Sequence, residues 1–138
     1  MRYLPFLFLI LTSVAFAADD ASDKQSTQYS QERQFNVAQK TQIDGLYDNA
    51  LKLWNEFLEK YPKSNLALEV KYNRGLCSYE LQKYEDAKRD LDEVLNSGNK
   101  NIKKAEALLF SGLSAQRLSE KNPAMVQEAK NRLETLLK

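Results

Sequence analysis

The chain has no histidine and a single cysteine, Cys77, in 138 residues. Without histidine it lacks the commonest general base and the commonest zinc ligand. One cysteine excludes an internal disulfide and every metal site built on a cysteine pair. A histidine-based catalytic triad or a zinc enzyme is therefore not expected, and neither is a metal or an organic cofactor. Turn formers are also scarce. Average usage would give about 10 glycines and 7 prolines at this length, whereas the chain has 4 and 3. So few breaks disfavour the many short loops of a sandwich or barrel and favour long helices. Gly45, Gly75, Gly98 and Gly112 are too far apart to form a phosphate-binding loop. Carboxylate neighbours such as Glu85-Asp86 and Asp92-Glu93 are adjacent in sequence and do not face each other on a helix. That argues against a glycosidase-like pair set across a cleft.

The chain also lacks an excess of either charge, with 20 basic and 19 acidic residues. A neutral chain offers no electrostatic footprint for nucleic acid or for an anionic membrane. The charges alternate, as in Glu85-Asp86-Ala87-Lys88-Arg89-Asp90, a run expected to form a solvated helix face. The one long apolar stretch comes first. Arg2 is followed by the uncharged run Tyr3–Leu11, then Ala15-Phe16-Ala17, then the acidic pair Asp19-Asp20. This is the layout of a secretory signal, with cleavage expected after Ala17. Tyr3–Ala18 is shorter than the roughly 17–25 residues that span a bilayer, and no cysteine follows it to accept a lipid. No stable membrane anchor is expected after cleavage, and the location expected is the periplasm or the exterior. The chain has no Asn-x-Ser/Thr acceptor, which favours a bacterial envelope. Residues 18–30 are polar apart from Tyr29 and are expected to form a disordered leader.

The remainder, 31–138, repeats with a period of 37 residues: Tyr47 and Tyr84, Ala50 and Ala87, Trp54 and Leu91, Phe57 and Val94, Leu58 and Leu95. Ala38, Gly75 and Gly112 keep the same step. A third copy, Ala129, Leu133, Leu136 and Leu137, is displaced by five more residues, which fall in the polar stretch Ser119–Gln127. Within each copy the apolar residues recur at three- and four-residue steps, the spacing of one helix face. Asp44-Gly45, Tyr61-Pro62, Ser97-Gly98 and Asn122-Pro123 supply stops and starts. Six helices are predicted, at about 31–43, 47–60, 65–81, 84–97, 101–118 and 123–137.

Leu68–Leu95 resembles one tetratricopeptide repeat, an antiparallel helix pair of period near 34. The small residues at the helix contact are Gly75 and Ala87, the tyrosine opening the second helix is Tyr84, and the bulky residue beyond the alanine is Leu91. Pro62 stands where the family places its closing proline. The resemblance implies an all-α, right-handed solenoid of three helix pairs, at about 31–64, 65–100 and 101–138. It also implies a non-catalytic module that binds a protein or peptide in its concave groove. The first helix of each pair would line that groove, placing there Phe35, Gln39, Tyr72, Leu76, Tyr79, Leu109, Leu113 and Arg117. Phe35, Tyr72 and Tyr79 either anchor a partner or only pack between repeats, and both readings stay open. Of the Lys, Asn and Arg set with which some family members grip a peptide carboxylate, only Asn73 is present. Cys77, two residues beyond Gly75, is expected to be a buried structural thiol.

The segment from Tyr47 to Ser64 resembles the periplasmic repeat proteins that accompany the Tol–Pal system and the repeat lipoproteins of outer-membrane assembly. The segment before Gln31 is too short for the trimeric coiled coil of the first group, and the lipidated cysteine of the second is missing. Leu133, Leu136 and Leu137 leave apolar surface at the C-terminal edge, for a partner or another copy to cover. The alternative function is accordingly a structural subunit that self-assembles through this edge into a homo-oligomer.

Overall fold

The computed structural model describes the backbone of residues 8–100 and 102–138, and side chains from Ser22 onward within those ranges. Six helices follow one another: α1 Phe8–Ile43, α2 Tyr47–Lys60, α3 Ala67–Glu80, α4 Tyr84–Asn96, α5 Lys104–Ser119 and α6 Met125–Thr135. No strand occurs among the described residues. Helices adjacent in sequence pack side by side from α2 to α6, and α3 also touches α5. This is an all-α solenoid of helix pairs. The predicted bounds of α2 to α6 hold to within three residues, because the apolar period and the turn residues specify the same ends.

The chain divides into a unit ending at Arg33 and a unit of residues 34–138. In the first unit, α1 already runs through residues 18–30, where a disordered leader was expected. Neither glycine nor proline occurs from Phe8 to Ile43, so nothing local breaks the helix. Residues 22–30 are all exposed, as their polarity demands. The expected signal segment, residues 1–17, lies outside the residues whose side chains are described. Among the described residues no helix is long and apolar enough to cross a membrane.

In the second unit, the period becomes packing. The first cluster joins Phe35, Ala38, Ala50, Trp54 and Phe57 to Val70 and Cys77 of α3. The second joins Tyr72, Leu91 and Val94 to Ala107 of α5. Trp54 and Leu91 thus occupy the same place in successive repeats, as do Phe57 and Val94. The small residues are essential to this approach. A Cβ added at Gly75 would stand 2.9 Å from Leu91 Cγ, and one at Gly112 would stand 3.0 Å from Leu133 Cδ2. Trp54, fully buried, donates its Nε1–H to Gln42 Oε1 at 2.9 Å and meets Phe35 edge to face.

The turns repeat as well. After α1, Leu46 N–H reaches the Thr41 carbonyl and Gly45 N–H the Gln42 carbonyl, with Gly45 left-handed at φ +78°. This is the Schellman closure of a helix end. After α3, Lys83 N–H bonds Ser78 and Gln82 N–H bonds Tyr79 in the same pattern, but Gln82 stands where glycine stood, at φ +60°. Gly98 is left-handed at φ +68° beyond α4, as Ser97-Gly98 predicted.

Candidate functional site

The first helices of the pairs carry the residues expected to face a groove, and their burial separates packing from recognition. Phe35 is buried against Trp54. Tyr72 is 5% exposed, wedged in the cluster that includes Leu91 of α4 and Ala107 of α5. Both rings therefore pack within or between repeats and are not exposed anchors. Tyr79 is half-buried, edge to face with Tyr84 at 5.6 Å and with Phe110 at 4.9 Å. Leu76 packs, half-buried, on the second cluster. Gln39 and Leu113 are half-buried, while Leu109 and Arg117 are exposed. Leu109 holds the register of Phe35 and Tyr72, and its exposure shows that the stripe becomes accessible at the third pair.

A cavity of about 300 Å³ lies beside this stripe. Gln39 comes from α1, Tyr72 and Asn73 from α3, and Asn65, Asn99 and Lys103 from the loops leading into α3 and α5. Leu68 and Ile102 add apolar wall. Asn73 spends its Nδ2–H on the Glu69 carbonyl at 3.0 Å, which fixes the amide and leaves its oxygen as an acceptor. The Tyr72 hydroxyl is buried without a hydrogen bond of good geometry. Burial first, and then the nearby Glu106 carboxylate, push its pKa far above that of a free phenol, so the phenol stays neutral. Amide donors and acceptors, with Asn73 fixed among them, beside aliphatic wall can hold polar chain and an apolar side chain together. Among the described residues no group of three or more His, Cys, Asp or Glu could hold a metal ion. Sequence reasoning found Gln39 and Tyr72 but missed Asn65, Asn99, Ile102 and Lys103. Asn65, Ile102 and Lys103 were expected in the first turns of helices that begin only at Ala67 and Lys104, and Asn99 lies in the loop before α5.

Charge behaves differently from the expected solvated face. Asp90 is 1% exposed and takes two hydrogen bonds from Arg74, at 2.6 and 2.8 Å, while Arg74 Nη1 donates to Asn55 at 3.1 Å. Nineteen residues separate Arg74 from Asn55, and the same step carries Ser111 to Asp92, whose carboxylate accepts its hydroxyl at 2.5 Å. First helices thus grip the preceding second helix at one repeating register. Alternating charges looked solvated because single-residue polarity does not show which members of the run turn inward. Cys77 is fully buried. Burial pushes its thiol up to about 11, with Glu80 adding and Trp54 opposing. That is an inert thiol.

Residues 29–64 and 69–97 match the tetratricopeptide repeat family. These two segments are similar to tetratricopeptide repeats. Their second helices are α2 and α4, and Gly75, Ala87 and Leu91 meet as that repeat requires. The α5–α6 pair continues the stack beyond the matched residues. Tetratricopeptide repeats are protein-interaction repeats without catalysis of their own. No curated protein matches the chain.

Proposed function

We propose that the protein is an exported, non-catalytic scaffold of the bacterial cell envelope that holds a protein partner along the face formed by α1, α3 and α5. The observation that carries this reading is the amide-lined cavity at Gln39, Asn65 and Asn73, together with the exposed Leu109 and Arg117 of α5. The amides of Asn73, Gln39 and Asn65 satisfy an extended peptide's main chain, and Leu68 and Ile102 accept an apolar side chain. Export rests on the order of Arg2, the apolar run and Ala15-Phe16-Ala17. Cleavage there leaves the whole unit of residues 34–138 intact. The relation to Tol–Pal-associated and outer-membrane-assembly repeat proteins belongs to the same proposal.

The test is a cross-linked pull-down of the mature chain from its native envelope beside Asn65→Arg and Leu109→Asp. Both side chains are exposed, so the fold should survive their replacement. One specific partner lost from both variants supports the reading; equal recovery of every partner from wild type and variants refutes it. A second reading, self-assembly, is favoured by the exposure of Val126 at 55% and Leu137 at 88%. Size measurement of the purified chain separates the two, since self-assembly requires a stable oligomer without any partner.

A further inference from the structure

Among the described residues, charged side chains of α6 pair with α4, whereas none of α4 pairs with α2. At the first junction Val70 and Cys77 of α3 enter the apolar cluster of α2. At the second, α5 brings Ala107 and Phe110 to its neighbour's cluster; α6 adds no residue there, as α4 adds none to the first cluster, and packs on α5, with Leu133 against Gly112. Ala129 is the one buried residue of α6. Among the described residues no Cα atom of α4 lies within 8 Å of one in α6, and the same holds between α2 and α4. A gap of about 700 Å³ opens there, with Leu118 and Met125 on its wall.

Charge bridges the two helices. Lys88 of α4 contacts Asp92 at 2.7 Å and Glu128 of α6 at 2.7 Å. Arg132 of α6 contacts Asp92 at 2.9 Å and Glu128 at 2.9 Å. The four groups form a closed ring in which every charge touches two of opposite sign. Ser111 of α5 adds its hydroxyl to Asp92. Side-chain exposures of 19–30% keep the ring partly out of solvent, where pairs are screened less than on an open surface.

We propose that this ring is an acid-sensitive latch, which holds α6 onto the second repeat and whose loss releases α6 while α2 to α4 stay folded. Removing one carboxylate leaves two cations sharing the other, an uncompensated charge in a half-buried site. Glu128 is the vulnerable member. Burial raises its pKa, but the hydrogen bonds and charges of Lys88 and Arg132 outweigh this and lower it. Its contribution is therefore complete above the ordinary glutamate value and disappears as the pH falls through the lower folded value. Asp92 and the ring's cations face it directly, and Glu85, Arg89 and Lys121 line the gap beside it. Release stays local because each repeat leans only on its neighbours, and the first junction rests on its apolar cluster.

The test is native-state hydrogen exchange of the full chain at pH 7, comparing wild type, Glu128→Gln and Glu134→Gln. Glu134 is the control, since it lies on the same helix and pairs only loosely with Lys130 at 3.8 Å. The latch predicts that amides of residues 125–135 exchange at least tenfold faster in Glu128→Gln, with α2 to α4 and the control unchanged. In wild type, protection of α6, corrected for intrinsic rates, should hold from neutral pH down to the ordinary glutamate value and fall as the pH drops below it; in Glu128→Gln it should not. Unchanged exchange in α6, equal acceleration in α2 to α4, or an equal effect of Glu134→Gln would each overturn it.

Discussion

Substituting Gly75 probes the contact on which the second repeat depends. An added Cβ would lie 2.9 Å from Leu91 Cγ and 3.1 Å from Leu91 Cδ2, with the Ala87 carbonyl oxygen at 3.4 Å. Leu91 is fully buried and Cγ is its branch point, so it cannot swing aside. Gly75→Ala gains about 1 kcal/mol of helix propensity. Overpacking costs about 1–3 kcal/mol, and a contact this short places it in the upper half of that range. The expected net loss is about 1–2 kcal/mol, a fall of several degrees in Tm for a domain of this size. Gly75→Leu and Ala87→Leu should cost more and unfold the repeat. The assay is urea and thermal denaturation followed by circular dichroism, in the wild type and in a Leu91→Ala background. Leu91→Ala alone costs about 2–5 kcal/mol, but it vacates the space, so Gly75→Ala should then stabilise by about 1 kcal/mol. Gly112→Ala meets Leu133 Cδ2 at 3.0 Å and Cγ at 3.1 Å, but Leu133 is only half-buried and has room to shift, so the substitution should cost less than Gly75→Ala. The same effect of Gly75→Ala in both backgrounds, or stabilisation in the wild type, would refute the reasoning.

Gln82→Gly should stabilise the protein by up to about 1 kcal/mol in urea denaturation, because a side chain at φ +60° carries a left-handed cost that glycine avoids. The Cys77 thiol, held up at about 11, should react with a disulfide reagent at pH 8 at least about a hundredfold more slowly than in the urea-unfolded chain; a rate equal to the unfolded one would place it at the surface. Glu128→Gln should lower Tm at neutral pH, and the difference from wild type should vanish in acid as wild-type Glu128 itself takes up a proton. A difference constant from pH 7 to pH 3 would show that its carboxylate charge contributes nothing.

The solenoid was legible because the same residue types return at the same step and do the same work. Gly75 meets Leu91 and Gly112 meets Leu133 as the 37-residue period and its enlarged third copy require. Turns were legible where glycine marks them, at Gly45 and Gly98, and hidden at Gln82, where a non-glycine residue takes the left-handed place. Groove residues were partly legible. The period places Phe35, Tyr72 and Leu109 in one stripe, but exposure depends on what the next helix covers, and only Leu109 is left open. The loop residues of the cavity and the inward turn of Asp90 and Asp92 come from contacts between repeats, which no local pattern encodes. The helical course of residues 18–30 also escaped notice, since polarity argues against burial and does not by itself prevent a helix from forming.

The central claim is that a partner lies along α1, α3 and α5, beside the amide-lined cavity. Photo-cross-linking residues placed one at a time at Asn65, Leu109, Lys52 and Lys130 in the native cell test it most directly, since all four positions are exposed. The account predicts one shared protein adduct from positions 65 and 109 and none from 52 and 130. Adducts from 52 and 130 alone, or from all four positions equally, would contradict it.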